Sequence, residues 1–524
     1  MATTYAAPGV YVEEVPSSER VLTAAPTAVA AFVGFTERAP TDDPNDPQGM
    51  APRLVTSWSQ FESLYGSFTP GCMLPLAMYG YFANGGAIAY VCRVPNTDPS
   101  GLPSSLELPA ADRALGNPLQ VESVDPDANI AIAISTDDDG DDGEEGPASF
   151  TLTVLADGEE VEQYPNLTFG GERDVKTVVN EASTKVKVKL DLDESVDLSN
   201  QLELLKPGQY QLAKAEPRKV PVTGRKFAGS ESARTGINGL AIADEVTIVA
   251  VPDLITAATQ EDGSIDLNMW KAVQTALISH CEQNGNRMAL LDPPPGMTPQ
   301  QIKEWRSEVA MYDSAFATLY YPWIKVDNPI GSNGNAEVFI PPSGHIAGVW
   351  ARTDDTRGVW KAPANDTIRG VLDIQRAVTQ NEQALLNPIG INCIRPFGTR
   401  GIRIWGARTL SSNTDWRYIN VRRLFNMVET TIRDGTQWAV FEPNDVALWE
   451  GVKRTLNAFL RGLWTAGALV GGSADDAFYV KCDAETNPPE SIDQGKLIVE
   501  VGISPVKPAE FVVFRISQQK QVAA

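Results

Sequence analysis

Histidine is almost missing from this 524-residue chain, with His280 and His345 the only two. Neither lies beside a Ser, Cys or Asp in a nucleophile motif, and no G-x-S-x-G, Walker A or H-E-x-x-H string is present. Proton transfer through imidazole is therefore argued against at the outset. Cysteine is scarce too. Cys72, Cys92, Cys281, Cys393 and Cys482 are scattered, odd in number and without metal-ligand spacing, which fits reduced, buried thiols rather than a disulfide framework. Long apolar runs are also missing. The best candidate, Val21 to Phe35, is short and broken by Pro26, too little to span a membrane. The first residues have neither the basic start nor the apolar core of a secretory signal, so synthesis and assembly in the cytoplasm are expected.

Positive charge is in deficit. Forty-three Lys and Arg against 67 Asp and Glu leave a formal charge of −24, which speaks against general nucleic-acid binding because phosphate contacts need a basic face. The imbalance is uneven. No Lys or Arg occurs between Arg113 and Arg173, while Asp137, Asp138, Asp139, Asp141, Asp142, Glu144 and Glu145 crowd one solvated run. Conversely Arg395, Arg400, Arg403, Arg408, Arg417, Arg422, Arg423 and Arg433 are opposed only by Asp415 and Glu429 over the same stretch. That segment is either a face for an acidic partner or a set of internal salt bridges.

The length exceeds one ordinary hydrophobic core and implies about two to four domains. Residues 1–20 read as an extended arm: Pro8-Gly9 is a turn signal, and Val10 to Val15 is a short β-prone run closed by Pro16. In 21–120, Ala28 to Phe35 and Ala87 to Val94 suit buried strands, with Trp58, Phe61, Leu64 and Tyr65 at helical spacing between them. Residues 121–225 change to short alternating strands, such as Phe150 to Leu155 and Val186 to Leu192, the texture of an inserted β-rich domain whose acidity favours an outer surface. Over 226–400 strand and helix alternate: Val246 to Val251, a helix with Trp270, Val273 and Leu277, Met288 to Leu291, a helix after Thr298-Pro299, then Phe316 to Ile324. This order predicts a parallel α/β layer continuous with 21–120.

Residues 401–507 carry two amphipathic helices, one with Val421, Leu424, Phe425, Val428 and Ile432, the other with Trp449, Val452, Leu456, Phe459, Leu460 and Leu463. Strands at Ala477 to Cys482 and Lys496 to Gly502 follow. Residues 508–524 end in a predicted strand from Glu510 to Ser517. The fold class is α/β (mixed α+β) and multidomain, with a parallel middle layer, a β-rich insertion and extended arms at both ends.

The sharpest enzymatic idea uses Asp253 and Asp292, which follow successive predicted parallel strands, where α/β folds place ligands. Acids at strand ends also cap helices and turns, and these two have no basic or nucleophilic neighbour in sequence. Gly85-Gly86 and Gly471-Gly472 lack the further glycines or Lys that cradle phosphate, so turns are the simpler reading. No catalytic residue, metal or cofactor is expected.

Two regions carry a family resemblance. One is Pro8-Gly9-Val10-Tyr11-Val12-Glu13-Glu14-Val15, running on to Ala30-Ala31-Phe32-Val33-Gly34. The other spans Ala364 to Ile516, through Leu386-Asn387-Pro388, Gly390-Ile391-Asn392, Trp405-Gly406-Ala407-Arg408-Thr409-Leu410, Tyr418-Ile419-Asn420-Val421-Arg422-Arg423-Leu424, Phe441-Glu442-Pro443-Asn444 and Pro508-Ala509-Glu510-Phe511-Val512. Together they resemble contractile phage tail sheath proteins. The resemblance implies a non-enzymatic subunit that polymerises as a six-fold helical mesh around an inner tube and contracts to drive that tube through a target envelope. It implies that arms from neighbouring subunits add strands to a sheet in a third. The linking residues are then Val10, Tyr11, Val12, Glu13, Glu14 and Val15 at one end, and Glu510, Phe511, Val512, Val513, Phe514, Arg515 and Ile516 at the other.

Lys453, Arg454 and Arg461, on the helix from Asn444 to Leu463, are the candidate tube-facing residues. Implied partners are further copies of the chain, an inner tube protein, and baseplate and terminal cap proteins, without nucleic acid or direct membrane insertion. The expected setting is the bacterial cytoplasm, within a phage tail or a phage-tail-like particle. The rival readings are a non-contractile lattice protein, such as a capsid or surface-layer subunit, and an α/β hydrolase.

Overall fold

The computed structural model describes residues 21–40, 46, 49–96, 105–108, 119–125, 128–137, 149–190, 205–212, 221–331 and 336–515. The chain forms two compact units, one from the segment Asn96–Pro221 and one from the residues on either side of it.

The larger unit is built on a mixed sheet of β1 (Ala30–Gly34), β2 (Arg53–Val55), β3 (Ala89–Arg93), β4 (Ile248–Ala250), β5 (Met288–Leu291), β6 (Ala317–Tyr321), β7 (Ile391–Pro396) and β8 (Ile402–Trp405). Their spatial order is β8-β7-β6-β5-β4-β1-β3-β2. Pairing is parallel from β7 through to β3, and β8 and β2 add antiparallel edges. The central strands are buried at every position because both faces of the sheet are covered, which is why they read as unbroken apolar runs. Alternate residues feed opposite cores: Ala31, Val33, Ala289 and Leu291 enter one, while Ala30, Phe32, Met288 and Leu290 enter the other.

Helices α1 (Trp58–Tyr65), α2 (Leu74–Asn84), α3 (Leu267–Asn284), α4 (Pro299–Glu304) and α5 (Ser343–Arg357) surround the sheet. Trp270, Val273 and Leu277 of α3 join the first core; Met78 and Tyr81 of α2 and Ile346 and Trp350 of α5 join the second. The start of α4 lies where the sequence places it, since Thr298 and Gln301 close a reciprocal capping box. Helices α2 and α5 touch through glycine: a Cβ on Gly344 or Gly348 would stand 2.4 Å from the carbonyl oxygen of Ala77 or Tyr81.

The C-terminal part of this unit packs α6 (Ile419–Gly435), α7 (Val446–Thr465) and a two-stranded antiparallel sheet of β9 (Phe478–Lys481) and β10 (Glu500–Ile503) around Leu424, Val428, Val452, Leu456, Leu460 and Phe478. Phe425 and Ile432 are only half-buried. Asp445 caps α7 by accepting from Leu448 N, and Asn444 both accepts from Trp449 Nε1 and donates to the carbonyl of Lys496, so the Phe441-Glu442-Pro443-Asn444 string fixes the helix start. The predicted strand from Lys496 begins later, at Glu500. Side-chain amides of Asn444 and Asn487 take up the backbone of Lys496 and Ile498, leaving less of it for a ladder.

The smaller unit holds a four-stranded antiparallel sheet in the order Gly208–Gln211, Ile130–Asp137, Ser149–Ala156, Glu159–Leu167, and a three-stranded one in the order Ser105–Leu108, Leu119–Ser123, Val186–Leu190. One core of Val121, Ile132, Leu152, Val154, Val179 and Val188 joins them. Asp157 and Gly158, both at positive φ, form the two-residue turn that lets the long hairpin twist correctly. The unit begins before the expected boundary at 121, because Ser105–Leu108 pairs with Leu119–Ser123 and cannot be separated from it.

Candidate functional site

The two strand-end carboxylates are engaged with backbone. Asp253 is fully buried: Oδ2 accepts from the N–H groups of Phe35 and Leu74 at 2.7 and 3.1 Å, and Oδ1 accepts from Met73 N–H. It therefore ties the end of β1 to the start of α2. Asp292 accepts from Ser343 N–H at 3.0 Å and so caps α5 from across the core. Burial pushes both carboxyls up to about 7 against these donors. His280 and His345 are also buried and are pushed down to about 4, by burial first and, for His280, by Arg287 as well.

A raised folded-state pKa stabilises the fold below the unfolded value near 4, and that stabilisation is lost as pH rises through about 7. Asp292→Asn keeps the acceptor for Ser343 but removes the titration. The stability of the native chain relative to this variant should therefore fall between pH 4 and 7 in denaturant titrations, and a constant difference would contradict the assignment.

Four of the eight arginines of the basic segment, Arg408, Arg422, Arg423 and Arg433, meet a carboxylate inside the chain. Arg423 and Asp354 form a paired fork at 2.9 and 2.5 Å, with both side chains nearly inaccessible. Arg422 bonds Glu429 and stands 4.3 Å over Trp416 and 4.8 Å over Phe316. Arg403 donates to the carbonyls of Arg400 and Asn365, Arg395 to Gln383, and Arg433 to Asp434; Arg400 lies over Phe397. Of the two readings the sequence leaves open, internal salt bridging accounts for four of the eight arginines. The Arg417 guanidinium has no hydrogen-bond, ion-pair or ring partner among the described residues.

The predicted C-terminal strand has a fixed root and an unpaired run. Glu510 accepts from Arg408 through both oxygens at 2.9 and 2.5 Å, from Asn387 at 2.6 Å and from Tyr418 at 3.3 Å. These bonds, with Arg408 the main partner, hold its carboxyl below the usual range despite burial. From Phe511 the chain runs exposed, with Phe511, Val512, Val513 and Phe514 at 71–84% accessibility. Glu510–Arg515, the predicted linking strand, forms no ladder among the described residues of this chain. Ile516, and Val10, Tyr11, Val12, Glu13, Glu14 and Val15, lie outside the described residues. The Arg408–Glu510 pairing was hidden in sequence, since the two residues are 102 positions apart.

Sheet β9–β10 stops at two strands, leaving one edge of each without a ladder partner among the described residues. On α7, Arg454 and Arg461 are exposed and seven residues apart, hence on one face; Arg454 lines a groove with Leu22, Trp438 and Phe459. Lys453 is turned about 100° from Arg454 and lies 3.8 Å from Glu450. Among the described residues no group of three or more His, Cys, Asp or Glu is placed to hold a metal ion, and no helix is long and apolar enough to cross a membrane.

Residues 237–410 match the family described as the phage tail sheath protein central domain, and residues 411–519 match the phage tail sheath C-terminal domain. The tail sheath protein of Burkholderia phage BcepMu is 29% identical over 314 residues, which cover 56% of this chain and 61% of that protein. Across the first curated relatives the chain spans between 26% and 61% of their length. Among solved structures, the helical sheath of the anti-feeding prophage in its contracted state is 26% identical, with a TM-score of 0.59 over 98% of this chain and 100% of that one. A chain from the six-fold symmetrised baseplate of the same particle is 26% identical, with a TM-score of 0.56 over 99% and 100% of the two chains.

Proposed function

The chain belongs to the phage tail sheath family, and from that premise we propose that it is a structural subunit that polymerises as a six-fold helical mesh around an inner tube and contracts to drive the tube through a target envelope. One observation carries the reading. Among the described residues, the same chain presents an unpaired, exposed apolar run, Phe511–Phe514, and a two-stranded sheet, β9–β10, with edges that carry no further ladder. A strand donor and a strand acceptor on one subunit generate a linked lattice when copies exchange them, and the N-terminal arm Val10–Val15 supplies a second donor.

Each backbone hydrogen bond added contributes only about 1 kcal/mol net, but many linked subunits make dissociation improbable while the links still permit rotation. Contraction then requires no bound nucleotide: an extended lattice held by a kinetic barrier relaxes to one with better matched contacts. The solved neighbour from a contracted sheath and the one from a baseplate support copies of the chain and a baseplate as partners. An inner tube protein and a terminal cap complete the assembly, built in the bacterial cytoplasm as part of a phage tail or tail-like particle. The acidic smaller unit takes the outer surface.

The testing experiment is negative-stain microscopy of the full chain, alone and with its tube protein. Helical particles in a long and a short form are expected; flat arrays or closed shells would establish a non-contractile lattice instead. In the same preparation, charge reversal at Lys453, Arg454 and Arg461 should leave soluble, folded subunits that no longer form extended particles on the tube. Normal extended particles from that variant would refute α7 as the tube-gripping helix.

A further inference from the structure

A cleft of about 270 Å³ lies against the segment Trp305–Ala310 and is lined by Arg306, Arg408 and Arg417 together with Asp313, Ser411 and Ser412. Arg408 is neutralised by Glu510. Asp313 accepts from the backbone N–H and hydroxyl of Ser412 at 2.8 and 2.5 Å, which, with the nearby Arg306, holds its carboxyl below the usual range, so it stays charged and offsets part of the positive charge. Three guanidiniums against Glu510 and Asp313 leave one positive charge in excess, with Arg306 and Arg417 the two that have donors to spare. The Arg306 side chain donates through Nη2 to the carbonyls of Tyr312 and Leu410, at 2.6 and 3.5 Å, and the residue is 9% exposed. Its Nε is buried without an acceptor, and Nη1 makes no hydrogen bond among the described residues. Arginine stays charged when buried, so these donors carry the full desolvation cost until an acceptor reaches them.

The backbone here is also unusual. Trp305–Ala310 is a π-helical turn that ends on Met311, a non-glycine residue at φ 50°. Such turns are rare and are concentrated at functional positions. Val309 and Met311, on and beside that turn, are exposed apolar residues.

We propose that this cleft is an oxyanion pocket, and that its occupant is a side-chain carboxylate from a second copy of this chain, held between Arg306 and Arg417. A guanidinium with two free N–H groups matches the geometry of a carboxylate. Pro388 and Ile389, which line the cleft and are partly exposed, favour a protein-borne carboxylate over a free ion, because an apolar lining gains from burial only when a surface comes with the charge. A second copy brings such groups in excess, 67 acidic against 43 basic residues. The cleft also shares Arg408 with the root of the C-terminal run, so it adjoins the proposed linking site. The inference rests on the assembly reading given above.

The test is polymer yield of the full chain, measured by sedimentation and microscopy in chloride and in inorganic phosphate at equal ionic strength. In wild type, phosphate should compete and lower the yield. Arg417→Gln, at a half-buried position, should lower the yield about tenfold in chloride and lose the phosphate effect, with Arg417→Lys intermediate. Wild-type yield and wild-type phosphate response in Arg417→Gln would overturn the pocket. If phosphate raises the melting temperature of soluble wild type but not of Arg417→Gln, and the variant polymerises normally, the occupant is a free oxyanion and the second copy is ruled out. Should Arg417→Gln fail to fold, the wild-type comparison of the two salts decides: an unchanged yield refutes the carboxylate contact. A wild-type chain that never polymerises contradicts the assembly reading itself, a result distinct from all of these.

Discussion

Truncation after Glu510 should leave a folded chain that has lost the ability to form long polymers. Phe511, Val512, Val513 and Phe514 are 71–84% exposed and form no ladder with the described residues of their own subunit, so removing them takes little from the native fold. The root stays in place, because Glu510 keeps its bonds to Arg408, Asn387 and Tyr418. What is lost is the strand that would complete β9–β10 of a neighbour. Linkage turns each further contact into an intramolecular event, and its loss should reduce polymer stability by about 100-fold or more. Sedimentation reads the polymer, and an unchanged melting curve confirms the fold. Full-length tubes from the truncated chain would show that the C-terminal run is not a connector. Glu510→Gln, which weakens the root but keeps the strand, should fall between the two.

Arg423→Ala should be among the most destabilising single changes available to the larger unit. Arg423 and Asp354 are 3% and 4% exposed by side chain and share two hydrogen bonds; the same guanidinium donates to the carbonyl of Thr27 at 2.9 Å and lies 4.6 Å over Trp350. Removing it leaves a buried carboxylate without its counter-charge, a loss of about 3–5 kcal/mol. Burial raises the pKa of Asp354 even with Arg423 present, and without the arginine the shift grows. The variant should therefore recover part of its stability on acidification, as the carboxyl becomes protonated. The paired replacement Arg423→Met with Asp354→Leu removes both charges and should cost clearly less than either single change to Ala. Denaturant unfolding at pH 5 and pH 7 measures both effects. A loss below about 1 kcal/mol for Arg423→Ala would mean the pair is solvated in solution.

How far the sequence is readable depends on whether a feature is local. The start of α4 follows from Thr298, Pro299 and Gln301, and the buried strands follow from runs such as Ala30–Gly34, because caps and apolar periodicity act over a few residues. Asp253 and Asp292 were visible as strand-end acids, yet their donors, Phe35, Met73, Leu74 and Ser343, come from distant segments. The predicted strand from Glu510 forms no ladder among the described residues for a related reason, since β-propensity describes a strand that fits a sheet and cannot supply the sheet.

By itself, the sequence determined the mixed α/β class, the β-rich insertion and the resemblance to tail sheath proteins. These are properties of composition, local periodicity and short strings. Only the tertiary structure decided what the arginines between Arg395 and Arg433 do. Coulomb and hydrogen-bond energies fall steeply with distance and depend on burial, so the role of each charge is set by what folding brings within about 3 Å of it. Arg423 meets Asp354, Arg408 meets Glu510, and the Arg417 guanidinium meets no hydrogen-bond or ion-pair partner among the described residues, although all three look alike in the linear chain.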